Sequence, residues 1–333
     1  MRRTCGRGLL LVLLGAVWLA ALPASAASPP QTAARVSLPE ARTAARAWLL
    51  QQQRRPRDTG YGIVPSLVVG IGLAALEPNA APPGADVRCK PGPQHPYPEV
   101  LVNGTFTVME DAFGGLAPTL ANLGYCVFTF NYGAPPGQLL GAIGAVPASA
   151  QTLAGFVAHV LAVTGVTKVD LIGWSQGGLL AEYYAKLLGG APFVHDLVAL
   201  SPTTHGTTLE GLFLLAETFP GANGLVGSAC QACVDQENNS PVIAAVDNGL
   251  IAQPGVRYTV IETLDEVVVT PVGSSFINEP GVSNEYVQSF CPFDAVDHVD
   301  LTYDRVVFQL IENALAPARA RAPNCLFEFP YPA

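Results

Sequence analysis

The stretch that decides the fold reads Val169-Asp170-Leu171-Ile172-Gly173-Trp174-Ser175-Gln176-Gly177-Gly178. Residues 169–172 form an apolar run with Asp170 as its one interruption, and they read as a buried strand. Leu179, Tyr183 and Leu187 then recur at a spacing of four, which is helical periodicity. A serine on a sharp strand-to-helix turn is a nucleophile elbow, and the residues two before and two after it must be small. Gly173 and Gly177 meet that need. A bare G-x-S-x-G is weak by itself; its place between strand and helix gives it weight. The helix that follows points its N-terminus at the serine, where free N–H groups favour an anion.

Working outward, residues 100–102 predict a short buried strand, followed by Asn103-Gly104-Thr105-Phe106. Residues 111–123 predict a helix closed by Gly124, and residues 126–130 the next strand. Residues 133–148 are a Gly/Pro/Ala loop. Leu153, Phe156, Val157, Val160 and Leu161 mark an amphipathic helix. Further strands are expected at 194–200 and 256–261. Strands alternating with helices predict a mostly parallel sheet covered on both faces, with ligands at the carboxyl ends of the strands.

A serine hydroxyl needs a general base, and the base needs an orienting carboxylate. On this scaffold the chain order is serine, acid, histidine. The chain has five histidines. His95 precedes the serine, and His159 lies off the apolar face of its helix. His195 sits near the start of a strand, the wrong end of the sheet. His205 follows a strand end but leaves few strands from which an acid could come. His298, in Asp297-His298-Val299-Asp300, is the expected base. Asp265, after Val260-Ile261-Glu262-Thr263-Leu264, is the expected acid, with Glu262 and Glu266 as alternatives. The backbone N–H of Gln176 and that of Thr105 are the expected oxyanion donors, with the Thr105 hydroxyl a further candidate. Each donor is typically worth about 3–4 kcal/mol. Asn103-Gly104-Thr105 also fits an N-glycosylation pattern, but a buried strand end leaves no room for a glycan.

Composition sets the outer limits. Residues 1–26 read as a secretory signal peptide, with Arg2, Arg3 and Arg7, an apolar stretch, and Ala24-Ser25-Ala26 as cleavage site. The net charge of −9 becomes about −12 without those three arginines. That argues against nucleic acid and anionic lipid as partners, and leaves neutral ester interfaces open. Residues 27–84 contain a helical run at 38–53 and an apolar run at 64–76; they read as a pro-segment or an N-terminal wrap. The catalytic domain is expected over 85–333. No transmembrane span is expected after signal removal, and the chain reads as a monomer. Cys5 leaves with the signal. Cys89, Cys126, Cys230, Cys233, Cys291 and Cys325 remain, an even number that suggests three disulfides in an exported chain. Cys230-Gln-Ala-Cys233 reads as a small disulfide loop; a zinc site there would lack a second ligand pair nearby.

Taken together, Trp174-Ser175-Gln176-Gly177-Gly178-Leu179, Thr263-Leu264-Asp265-Glu266-Val267-Val268, the segment from Cys291 to Asp297-His298, and Gly104-Thr105 with Gly124-Tyr125-Cys126 resemble secreted α/β-hydrolase lipases of the Candida antarctica lipase B type and their actinobacterial relatives. The resemblance covers about residues 88–330. It implies the α/β-hydrolase fold, a triad of Ser175, Asp265 and His298, and oxyanion donors Thr105 and Gln176. It also implies Trp174 as a liner of the alcohol-side pocket. It further implies disulfides Cys89–Cys126 and Cys291–Cys325, which leaves Cys230 and Cys233 for each other. Asn103 departs from the pattern, since the bacterial relatives commonly carry histidine there.

The function expected is a secreted lipase or esterase that cleaves lipid esters through an acyl-enzyme, without metal or cofactor, with an oil–water interface as one setting for its substrate. The same triad would also serve an acyltransferase or a polyester depolymerase. A non-catalytic binding protein is the third reading, and a candidate for every catalytic role argues against it. The apolar residues 209–229 are expected to form either a mobile lid or a buried cap.

Overall fold

The protein is described here by a computed structural model covering residues 36–56, 59–85, 88–226 and 228–327. Contacts divide the chain into Met1–Thr32 and Ala33–Ala333, and the expected signal peptide lies outside the described residues. Six strands form one parallel sheet in the order β2-β1-β3-β4-β5-β6. They are β1 (Glu99–Val102), β2 (Val127–Thr129), β3 (Val169–Trp174), β4 (Val194–Leu200), β5 (Arg257–Glu262) and β6 (Val282–Tyr286). A parallel sheet is buried on both faces, and β1 to β4 accordingly read as near-continuous apolar runs. β6 was not legible as a strand, because Ser283, Asn284 and Glu285 occupy a half-exposed edge.

Helices α1 (Leu38–Gln53), α2 (Leu67–Leu76), α3 (Met109–Phe113), α4 (Leu116–Asn122), α5 (Val146–Thr164), α6 (Gln176–Leu187), α7 (Leu209–Thr218), α8 (Gln231–Asp235), α9 (Pro241–Asp247), α10 (Val287–Phe290) and α11 (Arg305–Leu315) surround it. Side chains alternate across the strands. Leu101, Ile172, Val198 and Ile261 join one apolar layer with α1, α4 and α11. Val100, Val102, Leu171, Leu197 and Val260 join the other, with α5 and α6. The single helix expected over 111–123 is two, because Gly114 and Gly115 interrupt it between α3 and α4. α5 is long and apolar enough to cross a membrane by length and composition; its Leu153, Val157 and Val160 are buried against the sheet.

The helical stretch before residue 85 is part of the same core. Ala41, Ala45 and Trp48 of α1 and Leu67, Ile71 and Leu73 of α2 share the apolar layer of Leu101 and Phe113. Trp48 Nε1 donates to Ile63 O at 3.2 Å. Disulfides join Cys89 to Cys126, Cys230 to Cys233 and Cys291 to Cys325.

Candidate active site

Ser175 sits between β3 and α6 with φ 56° and ψ −124°, backbone angles that non-glycine residues rarely adopt. The turn is possible because its flanks lack side chains. A Cβ on Gly177 would lie 1.9 Å from Val102 O. The Ser175 N–H donates to Leu200 O at 2.9 Å, which ties the elbow to the end of β4. Residues 103–107 close over it from β1. Gly104 approaches so near that a Cβ there would lie 3.0 Å from Ser175 Cβ. Asn103, wholly buried, shapes this turn by donating from Nδ2 to Thr107 O at 2.7 Å. The backbone N–H groups of Thr105 and Gln176, the expected oxyanion donors, belong to the two segments that flank the serine: the turn after β1 and the first residue of α6.

His298 is buried, and its Nδ1 lies 2.8 Å from Glu266 Oε2. Glu266 Oε1 accepts from the N–H groups of Val268 and Val269 at 2.7 and 2.9 Å. Burial by itself would raise the Glu266 pKa. The charge of His298, their hydrogen bond and the Val269 N–H outweigh it, so the carboxyl is held below its ordinary value. This corrects the expectation for the acid. Asp265 is exposed, and its backbone pairs with that of Asp297 in an isolated parallel bridge. Beyond β5, Leu264 and Asp265 are exposed while Glu266 is buried, with its carboxylate on the ring. Of the alternatives, Glu262 instead accepts from Gly273 N–H at 3.0 Å. The His298 loop is pinned by Thr263 Oγ1, which donates to Val296 O at 2.6 Å. Asp297 Oδ1 accepts from Val299 N–H at 3.0 Å.

Trp174 is wholly buried and donates from Nε1 to His298 O at 2.9 Å; its ring centroid lies 5.8 Å from that of His298. Ser175 Oγ and His298 Nε2 are both buried, and neither has a hydrogen-bond partner. His95, His195 and His205 are bonded elsewhere or packed away from the serine. His205 holds Asp247 at 2.6 Å, and His195 holds Asp170 at 3.0 Å.

One residue near the site escaped sequence reasoning. Gln236, wholly buried, donates from Nε2 to Thr105 Oγ1 at 2.9 Å and accepts at Oε1 from Thr203 Oγ1 at 3.0 Å. Thr105 Oγ1 in turn donates to Gln176 Oε1 at 2.9 Å, while Gln176 Nε2 is buried without a partner. Gln236 lies 131 residues from Thr105 in sequence, and no local pattern signals such a pairing.

The family "Lipase (class 2)" matches residues 96–302. A triacylglycerol lipase of Pseudarthrobacter phenanthrenivorans is 36% identical over 126 residues, covering 34% of each chain. One from Burkholderia plantarii is also 36% identical over 126 residues, covering 34% of this chain and 30% of the other. The crystal structure of Aspergillus fumigatus lipase B superposes with a TM-score of 0.55 at 21% identity, covering 69% of this chain and 54% of that one. The fold is thus that of an α/β-hydrolase. The chain spans about a third of the length of the curated relatives that it matches.

Proposed function

This chain belongs to the class 2 lipase family, and on that premise we propose that it is an exported serine carboxylester hydrolase acting on acylglycerols or related neutral esters. The observation that carries the reading is the buried Glu266–His298 pair at 2.8 Å, set beside a serine in elbow geometry. Ser175 Oγ attacks the ester carbonyl while His298 Nε2 takes its proton. Glu266 keeps the Nδ1 proton in place and stabilises the imidazolium. Oγ and Nε2 have no hydrogen bond to each other in the free protein, and one forms as substrate binds. The N–H groups of Thr105 and Gln176 receive the oxyanion. His298 then protonates the leaving alcohol, and a water activated by the same imidazole releases the acid from the acyl-enzyme.

The Thr105 hydroxyl, held by Gln236, is a candidate third donor. A half-turn of the Gln176 amide would direct its unpartnered Nε2 at Thr105 Oγ1. Both lone pairs of that hydroxyl would then be filled, by Gln176 and Gln236, and its proton released toward the oxyanion.

Ser175→Ala should abolish hydrolysis of p-nitrophenyl esters and labelling by a fluorophosphonate, with the melting temperature retained. Turnover that survives the substitution refutes the nucleophile. A profile from C2 to C18 esters, with and without added alcohol, assigns chain length and separates hydrolysis from acyl transfer.

A further inference from the structure

Cys230 and Cys233 are bridged across a sequence separation of 3, against 37 for Cys89–Cys126 and 34 for Cys291–Cys325. A bridge that closes so short a loop restricts the unfolded chain least of the three. What it fixes is local. Cys230 caps α8, its Sγ accepting from the Cys233 N–H at 3.1 Å. Both cysteines are buried, and the ring is tied to the neighbouring loop by the Ala232 N–H, which donates to Ile143 O at 3.1 Å.

The carbonyl inside that ring aims the amide of Gln236. Ala232 O accepts from the Gln236 backbone N–H at 3.1 Å and from its Nε2 at 3.0 Å. A carboxamide nitrogen has two hydrogens, and here the second goes to Thr105 Oγ1 at 2.9 Å. The other partners of the amide are the hydroxyls of Thr105 and Thr203, and a hydroxyl can donate or accept. Ala232 O can only accept. It is therefore the contact that decides which end of the amide faces Thr105. With Nε2 there, Thr105 Oγ1 receives a hydrogen and keeps its own proton for another partner. Turned over, the amide would present Oε1, take that proton itself and hold it away from an oxyanion.

We propose that the Cys230–Cys233 disulfide is a positioning element of the oxyanion site, an assignment that rests on reading the Thr105 hydroxyl as one of the donors. By fixing the turn that carries Ala232 O, the bridge holds the Gln236 amide in the sense that keeps the Thr105 proton available. Neither sulfur touches the ester. The bridge acts through Gln236, and its contribution is made as the oxyanion forms rather than when the ester binds.

The test combines Cys230→Ser with Cys233→Ala in the full chain. Serine at the first position retains a capping oxygen for α8, so the helix keeps its start and loses only the bridge. The expected result is a kcat for p-nitrophenyl butyrate about tenfold lower, with KM within about twofold. Made on Thr105→Val, where no hydroxyl remains to aim, the same pair of substitutions should lower kcat by less than about twofold more. A bridge that only stiffens the fold would cost the same on either background. Cys230→Ala with Cys233→Val, which refills the buried space, serves if the first pair does not fold. The proposal is overturned if the folded pair keeps kcat within about twofold of wild type, if the loss falls on KM, or if it is as large on Thr105→Val. A Thr105→Val kcat within about threefold of wild type overturns the premise about the hydroxyl, and the role of the bridge with it. Failure of the hydrolase reading shows separately, as turnover that survives Ser175→Ala.

Discussion

Replacing Glu266 by glutamine separates it cleanly from its neighbour Asp265. The Glu266 side chain is fully buried, with Oε2 on His298 Nδ1 at 2.8 Å and Oε1 on two backbone N–H groups. Glutamine has the same shape and can keep an oxygen on Val268 and Val269. Its amide then faces His298 as a donor, and Nδ1 must accept instead. That reverses the tautomer and moves the proton to Nε2, where the base must be free. In serine hydrolases this change costs about 10⁴ in kcat, or about 5.5 kcal/mol of transition-state stabilisation. KM should stay within about threefold, because the ground-state ester does not touch Glu266. Asp265→Asn, at an exposed side chain, should leave kcat/KM within about twofold. Both are read with p-nitrophenyl butyrate, on protein whose fold is checked by thermal unfolding. The reasoning is refuted if Glu266→Gln keeps more than about a tenth of the wild-type rate, or if Asp265→Asn shows the large loss.

Three further outcomes are expected. Thr105→Val keeps the backbone N–H but removes the hydroxyl, and kcat should fall by about 10²-fold with little change in KM; a fall under about threefold would show that the hydroxyl stays on Gln176 during turnover. Burial pushes Glu110 and Glu182 up to about 8. Their folded values exceed the unfolded value of about 4.3, so the stability they contribute is full below that pH and is lost as pH rises toward 8. Each adds a slope of up to about 1.4 kcal/mol per pH unit, and Glu182→Gln should flatten the fall in melting temperature between pH 5 and 8. Trp48→Ala opens a cavity in the layer shared by α1 and the sheet and should cost about 3–5 kcal/mol, seen as a lower melting temperature with kcat/KM of the folded protein retained. An unchanged melting temperature would mean that α1 does not support the sheet.

The parts of this molecule that could be read from sequence are those governed by short-range rules. The elbow needs small residues at fixed offsets from Ser175, and α1 begins and ends where its periodicity does, at Leu38–Gln53. Asp265 and Glu266 are adjacent acids at a strand end, and sequence gives no rule for which of two neighbours in an irregular loop turns inward. The choice is made by the backbone bridge between Asp265 and Asp297, a contact between segments far apart in the chain. Gln236 is of the same kind. The break between α3 and α4 follows from Gly114-Gly115, a pair visible in sequence whose effect depends on packing; a Cβ on Gly115 would lie 2.9 Å from the Tyr303 ring.

The supports of the oxyanion site and of the acid meet in one threonine. The Thr207 N–H donates to Gln236 O at 2.8 Å, its carbonyl accepts from Asn238 N–H at 3.0 Å, and its hydroxyl donates to Val268 O. The Gln236 side chain holds Thr105, and Val268 N–H holds Glu266. The segment after β4 therefore braces both halves of the catalytic centre before α7 begins at Leu209. α7 buries Leu212, Leu215 and Ala216 but exposes Phe213 and Leu214, so its outward face is apolar. Ser175 and His298 are both buried, and an ester can reach them only if some covering segment moves. That movement must leave Thr207 in place, because shifting it would loosen the oxyanion support and the acid together. If α7 is the element that opens, its hinge has to lie at or beyond Thr208, whose hydroxyl accepts from Gly211 N–H at 3.1 Å and caps the helix. With its hinge there, an opening of α7 would change the shape of the entrance while Thr207 kept Gln236 and Val268 in place.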